Sequence, residues 1–214
     1  MSLEQSLNGS NICKDYGASS PTTTELVKES MYLHGTPPSP DQLVTRLKDH
    51  HFRFLIGHFP LRKYSAFFEY SNQATIIREP LVRTASEFLH VKRHQGYALS
   101  FEQFIERKEM QNRQAKLLSG HPAEMFIGIT ELYQESIALL NQRFGLKVQV
   151  TRRRFGLKLR ATRRNVAPKG GAKTFVETLL PDVSARFYQL NKLDLRLYVN
   201  SRKKLMANME KSND

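Results

Sequence analysis

Arg78, Arg83 and Ser86 are the residues whose types and spacing most invite chemistry. Arg78 directly follows the apolar, β-branched run Ala74-Thr-Ile-Ile77, and Pro80 opens a stretch in which Leu81, Ala85, Phe88 and Leu89 recur at helical spacing. This pattern predicts a strand over 74–77, a short turn and a helix with a first-turn proline. Arg78 then stands at the strand's carboxyl end, Ser86 two turns into the helix and Arg83 between them. A guanidinium, a hydroxyl and a helix N-terminus together suit a phosphate group. The plainer alternative is that Arg78 pairs with a surface acid.

The elements that must position such a site alternate along the chain. Residues 25–33 read as a short helix capped by Thr23 or Thr24, the Pro-rich stretch 35–40 interrupts it, and Asp41 starts a helix with Leu43, Val44 and Leu47 on one face. Residues 52–56 read as a strand closed by Gly57. Ser100 caps a helix bearing Phe101, Phe104 and Ile105. Residues 125–129 form another strand candidate, after which Thr130 is expected as an N-cap, with Glu131 near the positive end of the helix dipole. Tyr133, Ile137, Leu140 and Phe144 then share one face, and Gly145 stops the helix. Asp182 opens a last long helix with Val183, Phe187, Leu190 and Leu197 inward. Asp194 falls on that inward stripe, where a lone carboxylate must find a partner; an arginine of the basic segment described below is expected to supply it. Short apolar strands alternating with helices predict an α/β fold with a parallel sheet. Ligands of such sheets bind beyond the carboxyl ends of the strands, which singles out Lys14 to Thr24, Gly57-His58 and Arg78 to Ser86.

Charge narrows the partner. The 214 residues hold 33 Lys and Arg against 20 acids, a formal net charge of +13, and the pI is about 10.0. Ten of those basic residues lie between Lys147 and Lys173, a stretch without one acid. The partner is therefore expected to be anionic: a nucleotide, a nucleic acid, a membrane surface or an acidic glycan. No zinc-finger, RNP or helix-turn-helix pattern is present, so nucleic acid rests on charge alone. One cysteine, Cys13, excludes an internal disulfide framework and a CxxC metal site. No apolar run approaches the ~18 residues of a membrane span. Residues 1–16 lack the apolar core of a signal peptide. These features lead to the expectation of a cytoplasmic, bacterial-type protein, with an excised lumenal domain as the alternative.

Five segments in order resemble the sulfotransferase family, in the carbohydrate branch related to the 2-O-sulfotransferases. Ile76-Ile-Arg-Glu-Pro-Leu-Val-Arg-Thr-Ala-Ser86 resembles the 3′-phosphate-binding segment, with Glu79 where Asp is usual. Ile56-Gly-His-Phe-Pro60 resembles the Gly-His-(Phe/Val)-Pro turn, Asn112-Arg-Gln114 the Asn-x-Gln segment, and Phe126-Ile-Gly-Ile-Thr-Glu131 the Val-Gly-Leu-Thr-Glu segment. Asp194-Leu-Arg-Leu-Tyr198 resembles the Asp-x-x-Leu-Tyr of the terminal helix. The resemblance implies a P-loop-like parallel sheet flanked by helices in a single domain. It also implies transfer of a sulfuryl group from 3′-phosphoadenosine-5′-phosphosulfate to an acceptor hydroxyl, on a sugar or acidic glycan, without a metal. Carried over by position, Arg78 and Ser86 hold the donor's 3′-phosphate, and His58 is the base that takes the hydroxyl proton. The other reading of His58 is a turn histidine that bonds backbone. Lys169, in Asn165-Val-Ala-Pro-Lys-Gly-Gly171, resembles the late loop near the donor nucleotide.

The family's 5′-phosphosulfate loop finds its counterpart in Lys14, Gly17, Ser19 and Ser20, within Ile12-Cys-Lys-Asp-Tyr-Gly-Ala-Ser-Ser20. Backbone N–H groups and a Lys would cradle the phosphosulfate there. Residues 6–11, where an apolar strand should precede Lys14, are polar. Three readings stand: the loop with a shortened strand, a chain that has lost the loop, or plain disorder. The chain thus divides into a polar segment, 1–24, and an α/β domain, 25–210, carrying the basic segment 147–173. The competing function is a catalytically weak or inactive sulfotransferase-like module that binds nucleic acid or another polyanion. The basic segment generates the first prediction. Neutralising Arg152, Arg153 and Arg154 together should reduce retention on a heparin column and flatten its salt dependence; unchanged retention would make the run a solvated face.

Overall fold

The computed structural model describes residues 12–33, 39–96, 98–148 and 171–213. The fold is mixed α/β, as expected, and divides into two compact units. The first comprises Met1–Gln73, Leu117–Phe126 and Asn141–Arg152; the second comprises Ala74–Lys116, Ile127–Leu140 and Arg153–Asp214.

The first unit opens with β1 (Ile12–Asp15), followed by α1 (Glu25–Met31), α2 (Pro40–Asp49) and β2 (Phe54–Gly57). β1 and β2 pair in parallel, from Ile12 opposite Phe54 to Asp15 opposite Gly57. Parallel strands need a crossover, and α1 and α2 supply it. Gly57 is required by proximity: a Cβ there would lie 1.8 Å from the Asp15 carbonyl oxygen. Cys13, Leu26, Val27, Met31, Leu43 and Leu47 form the core beneath. Leu43 and Leu47 are two of the three positions that the periodicity predicts for one face of α2. β1 contains Lys14 rather than preceding it, which corrects the expected order of strand, Lys and loop. Ile12 and Cys13 are its buried residues, and pairing with β2 gives so short a strand its backbone partners.

The second unit contains β3 (Ala74–Ile77), α3 (Pro80–Gln95), α4 (Phe101–Glu106) and α5 (Arg113–Leu117). Then come β4 (Phe126–Ile129), α6 (Tyr133–Phe144), α7 (Gly171–Glu177), α8 (Pro181–Leu190) and α9 (Lys192–Asn213), with Leu117, Phe126 and the last four residues of α6 falling in the first unit. β3 and β4 are hydrogen-bonded neighbours. Leu81, Ala85, Phe88, Phe101, Phe104, Ile105 and Phe187 make the core of this unit. Ser100 caps α4 in a reciprocal capping box with Gln103, as its position predicts.

Two expectations are corrected here. Thr130 is not an N-cap: residues Thr130–Leu132 form a 3-10 turn before α6, and the Thr130 hydroxyl donates to the Ile77 carbonyl at 2.9 Å. The last long helix is also two helices, broken at Asn191. The Asn191 side chain donates to the Phe187 carbonyl at 3.0 Å and accepts the Asn112 N–H at 2.7 Å, tying the break to the segment before α5. Among the described residues no helix is long and apolar enough to cross a membrane.

One buried carboxylate ties the first unit together at the carboxyl end of its strands. Asp15 is 1% exposed. It accepts from Gly17 N–H at 3.1 Å, Tyr32 hydroxyl at 2.7 Å, Tyr64 hydroxyl at 2.7 Å and Lys63 Nζ at 2.6 Å. Lys63 also donates to the Tyr32 hydroxyl. Burial alone would raise the Asp15 pKa, but the hydrogen bonds from Lys63, Tyr64, Tyr32 and Gly17 together outweigh it and hold the carboxyl below the ordinary aspartate value. A depressed folded-state pKa means that this stabilisation is fully present above the unfolded value, about pH 4, and is lost as pH falls through the folded value. Acid unfolding followed by circular dichroism should therefore be steeper in wild type than in Asp15→Asn. At neutral pH, Asp15→Ala should cost about 3–5 kcal/mol, the range for breaking a buried pair from one side.

Candidate functional site

The turn between β3 and α3 is held by side chains from elsewhere in the second unit. Arg78 lies one residue beyond β3. Its N–H donates to Gln114 Oε1 at 3.0 Å, and its carbonyl accepts from Gln114 Nε2 at 2.9 Å. One carboxamide thus makes the pair of bonds that a neighbouring strand would otherwise make. Glu79 N–H donates to Glu131 Oε1 at 3.2 Å. The Glu79 carboxylate caps α3, accepting from Leu81 N–H at 3.2 Å and Val82 N–H at 2.7 Å. Tyr188 donates its hydroxyl to Glu79 Oε1 at 2.9 Å. Glutamate therefore does here the capping work that an aspartate could do. It also corrects the expected site: Pro80 has no N–H, and the N–H groups of Leu81 and Val82 are taken by Glu79. An anion at this turn must be met by side chains, not by the helix N-terminus.

Those side chains line an open cleft of about 310 Å³, formed by Arg78, Arg83, Ser86, Glu87, His90 and Arg93 with Leu89 and Ala172. Arg83, Ser86, Glu87, His90 and Arg93 are three or four residues apart along α3, or adjacent, and so share one face. Among the described residues, the Arg78 guanidinium pairs with no acid and the Ser86 hydroxyl with no hydrogen-bond partner. Arg83 Nη2 donates to Glu87 Oε2 at 2.8 Å. Arg83 Nη1 is buried and has no hydrogen-bond partner among the described residues. Glu87 is shared, since Arg113 Nη1 engages its other oxygen. Burial draws the Arg83 pKa below the usual arginine value, against the upward pull of Glu87. The cleft therefore holds three arginines against one carboxylate that is already bridged, and a buried guanidinium nitrogen awaits an acceptor.

Gln114 is itself anchored. Asp194, 3% exposed, accepts from Gln114 N–H at 3.3 Å and from Ala115 N–H at 2.7 Å. Burial pushes the Asp194 carboxyl above its ordinary value, against the lowering effect of those two N–H groups. Backbone at the start of α5 thus supplies the partners of Asp194 among the described residues; the arginines of the basic segment, one of which was expected to pair with it, lie outside them. Asn112, with φ of +50°, accepts from Leu193 N–H at 2.9 Å and Asp194 N–H at 3.3 Å, and donates to the Leu190 carbonyl at 3.0 Å. Tyr198 donates its hydroxyl to Glu131 Oε2 at 3.3 Å.

The other predicted residues lie in the first unit or outside the described residues. His58 is exposed directly after β2; its N–H donates to the Asp15 carbonyl at 3.1 Å and its ring stands edge-on to Tyr16 at 5.1 Å. Among the described residues its ring nitrogens make no hydrogen bond. Lys14 lies within β1, where its N–H donates to Thr24 Oγ1 at 2.9 Å and its carbonyl accepts from Thr24 N–H at 3.0 Å.

The loop after β1 turns at Gly17, with φ of +93°. Its amides are largely turned inward. Tyr16 N–H donates to Thr23 Oγ1, Gly17 N–H to Asp15, Ser20 N–H to the Gly17 carbonyl and Thr23 N–H to the Ser20 carbonyl. Ser20 Oγ bonds Thr22 Oγ1 at 2.8 Å. Ala18 and Ser19 keep N–H groups without an acceptor among the described residues. Lys169 and residues 149–170 of the basic segment lie outside the described residues.

Compared with known protein families, curated proteins and solved structures, the chain matches none. Sequence reasoning missed Gln114, Glu131 and Asp194 as parts of this site, although each falls inside a quoted motif. It missed Asp15, Tyr32, Lys63 and Tyr64 altogether, because nothing in their spacing signals that three segments meet.

Proposed function

We propose that this chain is a sulfotransferase, transferring a sulfuryl group from 3′-phosphoadenosine-5′-phosphosulfate to a hydroxyl of a carbohydrate acceptor, on a P-loop-like α/β domain. One observation carries the reading: at the carboxyl end of β3, Arg78 and Ser86 line a single cleft, both uncommitted among the described residues, beside the buried and unpartnered Arg83 Nη1. That is the chemistry a phosphate monoester needs, and it falls on the segment that resembles the family's 3′-phosphate site. Arg78 and Ser86 would bind that phosphate, the guanidinium supplying charge and a forked donor, the serine a single hydroxyl. In the transfer, the acceptor oxygen bonds to sulfur as the bond from sulfur to the 5′-phosphate oxygen breaks. The hydroxyl proton passes to a base, and His58, exposed and with ring nitrogens unoccupied among the described residues, suits that role. Lys14, Gly17, Ser19 and Ser20 would meet the 5′-phosphosulfate.

The inward-turned amides of that loop favour a second reading, a sulfotransferase-like module that binds a polyanion without turnover. A nucleotide distinguishes the two. Saturable binding of adenosine 3′,5′-bisphosphate together with sulfuryl transfer to a sugar hydroxyl supports the enzyme. Binding only to long polyanions, collapsing with salt, supports the module.

Two variants test the residues. Arg78→Ala should weaken binding of the bisphosphate by about 1.5–3 kcal/mol in calorimetry, the range for a hydrogen bond to a charged group, while the fold survives; unchanged affinity would remove Arg78 from the site. His58→Ala should lower turnover by about 10²–10⁴-fold with donor binding nearly intact, and a fully active variant would assign the proton to another group.

A further inference from the structure

We infer that Gln114 is a positioning residue for the anion site, aiming Arg78 into the cleft through its backbone, with Asp194 holding Gln114 in place; this rests on the phosphate-binding role proposed for Arg78. Arg78 lies past the last ladder pair of β3, so no strand fixes its peptide groups, yet the direction of its Cβ follows from them. Gln114 engages both, at 3.0 Å to the N–H and 2.9 Å to the carbonyl. A carboxamide accepts and donates side by side, as a strand residue does, and carries no charge at any physiological pH. Gln114 is 7% exposed and sits in the first turn of a five-residue helix, too short to be stable by itself. What keeps that turn in place is the Asp194 carboxylate on the N–H groups of Gln114 and Ala115. The chain of bonds runs from Asp194 through Gln114 to Arg78 and ends at the cleft. The next residue has a parallel arrangement, from Tyr198 through Glu131 to the Glu79 N–H. Side chains from distant parts of the sequence thus serve two consecutive peptide groups of a turn, at the place where the cleft's free guanidinium begins.

A double-mutant cycle tests this in the full chain, with adenosine 3′,5′-bisphosphate and inorganic phosphate as separate probes in calorimetry. Gln114→Leu should lower the affinity of the otherwise unaltered chain by about 10–100-fold, the range for partners that orient a binding group. In an Arg78→Ala background the same substitution should change affinity less than about threefold, because there is no guanidinium left to aim. Gln114→Met, closer in length and equally unable to bond, carries the same cycle if Gln114→Leu does not fold. An equal loss with and without Arg78, or no loss at all, overturns the positioning role and leaves the sulfotransferase reading standing. Coupling seen with inorganic phosphate, where the bisphosphate does not bind, upholds the positioning role and overturns the sulfotransferase reading. Failure of the otherwise unaltered chain to bind either probe overturns both.

Discussion

A peptide group just beyond the end of a strand has lost its ladder partner, and if it is shielded from water it must find another. Leaving a buried donor or acceptor unmade costs about 1–3 kcal/mol, more than a satisfied bond returns. In the second unit this constraint falls on the part-buried peptide group of Arg78, with the more exposed Glu79 N–H beside it, and much of the surrounding architecture follows from it. Gln114 reaches the first and Glu131 the second. Asp194 and Tyr198, both on α9, reach Gln114 and Glu131 in turn. The left-handed backbone at Asn112 and the break at Asn191 let those helices approach, each asparagine serving the other's segment. Side chains from three distant segments therefore share a physical purpose: they fix one turn.

The first unit meets a related problem with charge. Asp15 ends β1 where the chain leaves the sheet, and its carboxylate is buried. A buried carboxylate is tolerated only when paired and fully hydrogen-bonded. Lys63 supplies the charge, and Tyr32, Tyr64 and the Gly17 N–H supply the remaining donors. The same contacts start the loop after β1, bind the end of α1 and anchor the segment after β2. The Tyr64 hydroxyl is pushed far up by burial and by donating to Asp15, so it stays a neutral donor at any physiological pH. The loop gains rigidity from these contacts but turns most of its N–H groups inward, which is the feature that separates the two functional readings.

The two units also differ in what their polar groups leave over. Around Asp15 the donors and acceptors close on one another among the described residues. Around Arg78 they do not: the backbone is fully engaged while the Arg78 guanidinium, the Ser86 hydroxyl and Arg83 Nη1 stay uncommitted among the described residues. Precise backbone and unspent side chains in one place are what a preorganised binding site requires.

Local pattern alone determined much of this protein. The β-branched run 74–77 followed by a first-turn proline specified β3 and α3, because strand propensity and the missing proline N–H act within a few residues. Ser100 and Gln103 specified the start of α4 for the same reason, and periodicity placed Leu43, Leu47, Phe88 and Phe104 in the cores. Arg78, Arg83 and Ser86 were also legible, the first from its place at the end of the strand run and the other two from their spacing along the helix that follows. Tertiary structure decided the rest, because it turns on partners distant in sequence. Lys14 became part of a strand only by pairing with β2, residues away across two helices. Glu79 proved a cap and Thr130 a brace on Ile77, where propensity equally allowed other roles. Asp194 found backbone N–H groups 79 and 80 positions away, and Asp15 found Lys63 and Tyr64 at separations of 48 and 49. A polar side chain states that it needs a partner; which partner it takes is settled only when packing brings the segments together and removes the water that would otherwise have served.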